Sequence, residues 1–192
     1  MKIVIMTYKD APQERLDNAN KLAKELQNEG YEGIDCEVFV GGTCYIDNMY
    51  QVFKKANNNG DDLLMFEDDV YLCKDFLKKV KKAINEYPNR VINFFNLHYD
   101  ITEPVNMSFT QWTECQCYYV PRRILPKLTL LYKAFIKLAP KTYKCNIADN
   151  YMRYCLQEDY TLYYPSLVQQ FDFSSVIFNG RIDEQSKTFD SL

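Results

Sequence analysis

The sequence predicts an α/β fold of one domain, a mostly parallel sheet flanked by helices, and three observations carry that expectation. Short apolar runs of strand length alternate with segments whose apolar residues recur every three or four positions. The helical segments between strands are roughly ten to fifteen residues long, the span of a right-handed crossover between parallel strands. Finally, 192 residues that are 47% hydrophobic and 15% aromatic exclude disorder and suit one core rather than two.

Lys2 to Thr7 is the first apolar run and reads as a strand. Pro12 opens a helix whose Leu16, Ala19, Leu22, Ala23 and Leu26 share one face, and Gly30 is placed to stop it. Cys36 to Val40 reads as a second strand ending in Gly41-Gly42, and Ile46 to Ala56 as a second helix closed by Asn57-Asn58-Asn59-Gly60. Leu63 to Phe66 is an apolar strand that runs directly into Glu67-Asp68-Asp69. Phe76, Leu77, Val80 and Ile84 mark a third helix, with Lys74, Lys78, Lys79, Lys81 and Lys82 on its solvated side, and Val91 to Phe95 is a fourth strand. Beyond it the pattern loosens. A polar stretch from Tyr99 to Glu114 precedes a strand over Gln116 to Val120, then a helix with Ile124, Leu128, Leu131, Phe135 and Leu138 on one side. A further helix covers Ile147 to Leu156, with short strands around Tyr163 and Val168. The expected domain spans residues 1–180, followed by a polar, mobile tail over 181–192.

Composition narrows the function classes. With 23 basic and 26 acidic residues the net charge is −3, whereas a broad nucleic-acid footprint shows as a strongly basic domain. A DNA partner, not favoured, would have to use a local lysine surface. No apolar run approaches the ~18 residues of a transmembrane segment, and Met1-Lys2 passes straight into Ile3-Val4-Ile5-Met6 with no cleavage site. A soluble, cytoplasmic protein is expected. Seven cysteines with no Cys-x-x-Cys pair fit reduced thiols better than a disulfide frame.

The acidic triplet is the most informative feature. If Leu63 to Phe66 is a buried parallel strand, Glu67 to Asp69 leave the sheet at its carboxyl edge, where ligands of such sheets bind. Alternate residues of extended chain point the same way, so Glu67 and Asp69 converge on one cation while Asp68 faces elsewhere. Manganese or magnesium takes oxygen ligands, commonly one or two carboxylates plus substrate phosphates. The blander alternative is a solvated acidic loop or an N-cap cluster before the helix near Lys74.

The run Asn59-Gly60-Asp61-Asp62-Leu63-Leu64-Met65-Phe66-Glu67-Asp68-Asp69-Val70, with Phe76 shortly after, resembles the central motif of glycosyltransferase family 25. That family holds lipopolysaccharide sugar transferases and collagen galactosyltransferases. Looser similarity continues in order through Arg15, Gly42 to Met49, Cys117 to Arg123, Asp149 and Pro165 to Ser175. The resemblance implies a GT-A fold, a nucleotide-sugar donor such as a UDP-sugar, a manganese or magnesium cofactor, and a glycan or other hydroxyl acceptor. It places the metal on Glu67 and Asp69 and the donor nucleotide near Asp68 and Arg15. Further donor contacts are implied at Thr7-Tyr8, where the family usually has Asn-Leu, and at Asp47-Asn48, where it usually has Ser-His.

Read residue by residue, Arg15 stands near the carboxyl edge of the first strand, within reach of a donor phosphate, or is a surface helix arginine. His98, the sole histidine, follows the fourth strand and is a candidate base or a satisfied structural residue. Asp149, where the resemblance implies an acid near the acceptor, is a candidate general base or a helix N-cap. Gln169 and Gln170 are candidates to orient sugar hydroxyls. The expected function is metal-dependent transfer of a hexose from a nucleotide diphosphate sugar to a hydroxyl. The alternatives are a phage-type transferase acting on hydroxymethylated DNA bases and a non-catalytic sugar- or nucleotide-binding module. A glycoside hydrolase, which needs two opposed carboxylates, is not suggested.

Overall fold

The computed structural model describes residues 1–29, 35–138 and 148–170, together with 174–175, 180–181, 186 and 188–189. Its first half follows the expected alternation. Strand β1 (Lys2–Tyr8) pairs in parallel with β2 (Asp35–Gly41) on one side and β3 (Leu63–Glu67) on the other. Ile3, Val4, Ile5 and Met6 are all buried, the pattern of a strand covered on both faces.

Helix α1 (Gln13–Asn28) begins directly after Pro12, whose ring pre-sets the entry dihedral. Its buried side is Arg15, Asn18, Ala19, Leu22 and Leu26, so two polar residues occupy the first turns of an otherwise apolar face. The expected stop at Gly30 lies outside the described residues. Helix α2 (Tyr45–Asn59) buries Ile46, Asn48, Met49, Val52, Phe53 and Ala56, and closes at Gly60 with φ +71°, a left-handed conformation suited to glycine.

After β3 the chain turns through Asp68-Asp69 into β4 (Val70–Leu72), a strand that the sequence pattern does not announce, and only then reaches α3 (Phe76–Glu86). The fourth expected strand shortens to β5 (Ile92–Asn93). Its continuation still bonds, because Phe94 N donates to Cys117 O over 2.9 Å and Leu167 N donates to Phe94 O over 2.9 Å. The polar stretch holds β6 (Val105–Met107) and a 3-10 turn over Phe109–Gln111 closed by a Ser108–Gln111 capping box. Beyond it come β7 (Cys117–Val120), α4 (Leu125–Leu138), α5 (Ala148–Leu156), β8 (Tyr160–Leu162) and β9 (Val168–Gln170).

The main sheet has the order β2-β1-β3-β7-β5-β8-β6. Five strands run one way, while β7 is antiparallel to β3 and β5, and β6 is antiparallel to β8. The small β4–β9 ladder is separate and antiparallel. One apolar cluster joins the sheet to α1 and α3, and a second joins its other face to α2, α4 and α5. Leu138, expected on the core side of α4, is 66% exposed, because the end of the helix overhangs the cluster that Phe135 still joins.

None of the six described cysteines is disulfide-bonded, and Cys145 lies outside the described residues, as does Ile147. Within the tail, Ser186 Oγ donates to Asn96 O over 2.9 Å, and Ser186 N donates to Gln169 Oε1 over 2.8 Å. Among the described residues no helix is long and apolar enough to cross a membrane.

Candidate active site at the carboxyl edge of the sheet

Glu67 ends β3, so the acidic triplet leaves the sheet at its carboxyl edge. Helices α1 and α2 begin at the same edge, each following a parallel strand, and supply the partners. Arg15 Nε donates to Asp68 Oδ1 over 2.7 Å, a second contact runs from Arg15 Nη2 to the same oxygen, and Nη2 also lies 3.1 Å from Asp69 Oδ2. Asn18 Nδ2 donates to Asp68 O over 2.7 Å. The two polar residues on the buried side of α1 thus serve the turn between β3 and β4. On the other side Tyr45 OH donates to Glu67 Oε1 over 2.5 Å.

Asp68 and Asp69 therefore share one guanidinium. The burial of Asp68 raises its carboxyl, an effect opposed by Arg15. Arg15 is pushed up by the negative charge of Asp69 and Asp68 against the desolvation it suffers. Glu67 is driven up to about 8, first by burial and then by the charge of Asp69, with Tyr45 and Arg15 acting the other way. Residues 68–69 form a turn rather than extended chain, so strand alternation does not govern them, and Asp68, expected to face away from Asp69, meets the same guanidinium as Asp69 does. Asp69 Oδ1 is buried with no hydrogen-bond partner among the described residues, and Gln170 Nε2 approaches Asp69 Oδ2 at 3.4 Å.

Two neighbouring carboxylates, one raised and one with an orphaned oxygen, fit a hard divalent cation. No group of three or more His, Cys, Asp or Glu side chains among the described residues is arranged to hold a metal ion. The rest of such an ion's shell would have to be phosphate oxygen or water, which is how magnesium is commonly bound.

The expected donor contacts fall in different places. Thr7 is buried, and its hydroxyl oxygen has no hydrogen-bond partner among the described residues. Tyr8 has a buried OH without a partner among the described residues, and its ring centroid lies 5.7 Å from the Arg15 guanidinium carbon. Asn48 is occupied structurally, since its side chain accepts from Gly42 N and donates to Gly42 O, each over 2.9 Å. Asp47 turns toward α4, where it accepts from Tyr132 OH, and Tyr132 stacks on Tyr50 with ring centroids 3.9 Å apart.

His98 and Asp149 are brought to one neighbourhood by the segment before β7. His98 Nε2 lies 2.8 Å from Glu114 Oε1. Cys115 Sγ donates to Asp149 Oδ1 over 3.2 Å. Asp149 is nonetheless raised above the ordinary carboxylate range, by burial. That segment adjoins the triplet, because Glu67 N donates to Gln116 O over 3.0 Å. Tyr45, Asn18, Glu114 and Cys115 are site residues that sequence reasoning misses. A helical count from the start of α2 could flag Tyr45, which lies on the same side of the helix as Asn48.

No family model matches this chain, and no curated protein does either. The likeness to glycosyltransferase family 25 therefore rests on the motif around residues 59–70. Solved structures do match. A197 from STIV is 11% identical with a TM-score of 0.53, over 97% of this chain and 95% of that one. The CTP:phosphocholine cytidylyltransferase from Streptococcus pneumoniae is 12% identical with a TM-score of 0.55, over 92% of this chain and 94% of that one. The fold is GT-A-like. At these identities the likeness concerns the fold alone, and function has to be argued from the site.

Proposed function

We propose that the chain is a metal-assisted transferase that moves a hexose from a nucleoside diphosphate sugar, a UDP-sugar foremost, to a hydroxyl of a glycan acceptor. The observation that supports this most is the acidic triplet Glu67-Asp68-Asp69 at the carboxyl edge of β3, with Asp69 Oδ1 buried and without a partner among the described residues. Glu67 and Asp69 would hold manganese or magnesium, which when bound supplies charge neutralisation for the departing diphosphate.

The chain's own residues do the positioning. Arg15 fixes Asp68 and Asp69 against α1, and Tyr45 fixes Glu67 against α2, so the acid pair is pre-oriented before a ligand arrives. Thr7, Tyr8 and Asp68 line the donor side. Asp47 and Asn48 shape it indirectly, through Tyr132 and Gly42. His98 and Asp149 stand on the acceptor side, where a proton must leave the attacking hydroxyl. With a net charge of −3, a glycan suits the acceptor role better than DNA.

A second reading is nucleotidyl transfer, which the fold shared with the cytidylyltransferase favours. Calorimetry with UDP, UDP-sugars and CTP in manganese, magnesium or EDTA tests the site, and product analysis separates the reactions. Sugar transfer releases a nucleoside diphosphate and nucleotidyl transfer releases pyrophosphate. Metal-dependent UDP-sugar binding with UDP release is the expected result. Equal affinity in EDTA, or pyrophosphate as the product, would overturn the proposal.

A further inference from the structure

We propose that His98 and Glu114 form the proton-accepting dyad of this site, with Glu114 the positioning residue that presents the imidazole to the acceptor hydroxyl. The inference rests on the sugar-transfer reading and names the group that takes the proton.

The geometry has the layering of an oriented base. His98 Nε2 lies 2.8 Å from Glu114 Oε1, with the histidine side chain 51% exposed and the glutamate side chain 14% exposed. The carboxylate is recessed and the ring is open to an incoming group. A carboxylate beside Nε2 holds the proton there and leaves the Nδ1 lone pair facing outward.

The backbone at Glu114 is an independent observation. Its φ is +64°, in the left-handed region that a residue with a Cβ seldom occupies. Such a conformation persists when the surroundings over-determine it. Here the fully buried Asn93 donates through Nδ2 to Thr113 O over 2.9 Å and to Glu114 O over 3.2 Å. The adjoining Cys115 thiol donates to Asp149 Oδ1 of α5 over 3.2 Å. The segment that carries Glu114 is held from two elements, β5 and α5, and the Glu114 side chain meets His98.

Asp149 is the competing base, and its environment argues against it. Its Oδ1 accepts the Cys115 thiol over 3.2 Å, so that oxygen is already engaged in holding the segment in place. The groups facing His98 are the Glu114 carboxylate, the Asp149 carboxylate, whose ionised form His98 favours, and the Tyr99 ring, at 6.5 Å between centroids. Arg153 acts on Asp149 from α5.

In the reacting complex the acceptor O–H proton passes to His98 Nδ1, giving an imidazolium whose Nε2–H stays on Glu114. The oxygen's electron pair forms the bond to the anomeric carbon. The bond from that carbon to the donor phosphate oxygen breaks, and its pair leaves with the nucleoside diphosphate.

The test uses the fact that His98 is the only histidine of the chain, so its ring resonances are assigned without ambiguity. In the intact protein a slowly exchanging, downfield Nε2–H signal is expected, lost in Glu114→Ala and retained, weaker, in Glu114→Gln. With a UDP-sugar and a glycan acceptor, His98→Asn should lower the transfer kcat about 10²- to 10⁴-fold with UDP affinity within about twofold, and Glu114→Gln about tenfold. Asp149→Asn should retain more transfer than His98→Asn. A ring signal indifferent to Glu114→Ala, or near-normal transfer by His98→Asn in a protein whose wild type transfers sugar, overturns the dyad alone. A wild type that moves no sugar from any donor while the Nε2–H signal is present overturns the transferase reading, and the dyad's catalytic role with it.

Discussion

Arg15 Nε donates to Asp68 Oδ1 over 2.7 Å between residues 53 positions apart, and both side chains are buried. The same guanidinium reaches Asp69 Oδ2 at 3.1 Å. Helix α1 is thereby tied to the turn that carries the site, by an ion pair that solvent screens little. Removing one partner of such a pair strands a buried charge. Arg15→Ala should cost about 3–5 kcal/mol in denaturant unfolding. Arg15→Lys should fall between wild type and alanine, because it restores the charge without the planar fork. A loss below about 1 kcal/mol for Arg15→Ala would mean that the pair carries no structural weight.

Glu67 makes the stability of the metal-free protein depend on pH. Its carboxyl is raised from 4.5 to about 8 in the fold, so the unfolded chain loses that proton at lower pH than the native state. Between those two values the unfolded state binds fewer protons, and stability falls as pH rises from 4.5 to about 8, then levels. Thermal unfolding in EDTA across that range should show the decline, and Glu67→Gln should flatten it. The slope should also shrink in saturating manganese. An unchanged slope in the glutamine variant would place the titration elsewhere.

Asp69→Asn should remove metal-dependent UDP affinity while changing stability much less than Arg15→Ala, since Arg15 keeps Asp68. Calorimetry with and without manganese reads the first effect, and urea unfolding reads the second. Wild-type metal dependence in this variant would contradict the assignment of Asp69.

Asn48 is expected to matter for folding before it matters for binding. Its side chain bonds both backbone groups of Gly42, which is exposed, so in Asn48→Ala water takes over those groups and the loss of the two bonds should cost about 1 kcal/mol. A Cβ on Gly41 would collide with the amide carbon and oxygen of Asn48, so Gly41→Ala should cost about 1–3 kcal/mol. Because the alanine side chain at 48 removes the clash, the double variant should be more stable than the sum of the single losses allows. Strict additivity would refute the contact.

Much of this arrangement is legible in the sequence, and the reasons are local. β1 and β3 are continuous apolar runs, α1 and α2 carry a three-and-four period with proline and glycine at their ends, and the acid triplet comes directly after a strand. The features that escape are non-local. β4 is three residues long and pairs Val70 with Gln170, so it contains too little chain to show a period. The direction of β7 is not written in Cys117–Val120, since a short buried strand has the same composition either way up. Glu114 consequently reads as the end of a polar loop. Asp47 and Asn48 group with the donor by resemblance, whereas the helix turns Asp47 toward Tyr132 and Asn48 toward Gly42.

The reversed direction of β7 bears on how the site can be altered. Its neighbours end at the carboxyl edge, but β7 begins there, so residues leading into it lie beside residues that leave β3. The acid triplet and Arg15 come from the N-terminal part of the chain, up to β4, and the His98–Glu114–Asp149 group comes from the C-terminal part. The two groups come from separate stretches of the sequence and adjoin where Glu67 N donates to Gln116 O. Under the proposed function, loops grafted around 96–115 and 148–153 should change acceptor preference while the Arg15 ion pair and the acid triplet stay untouched.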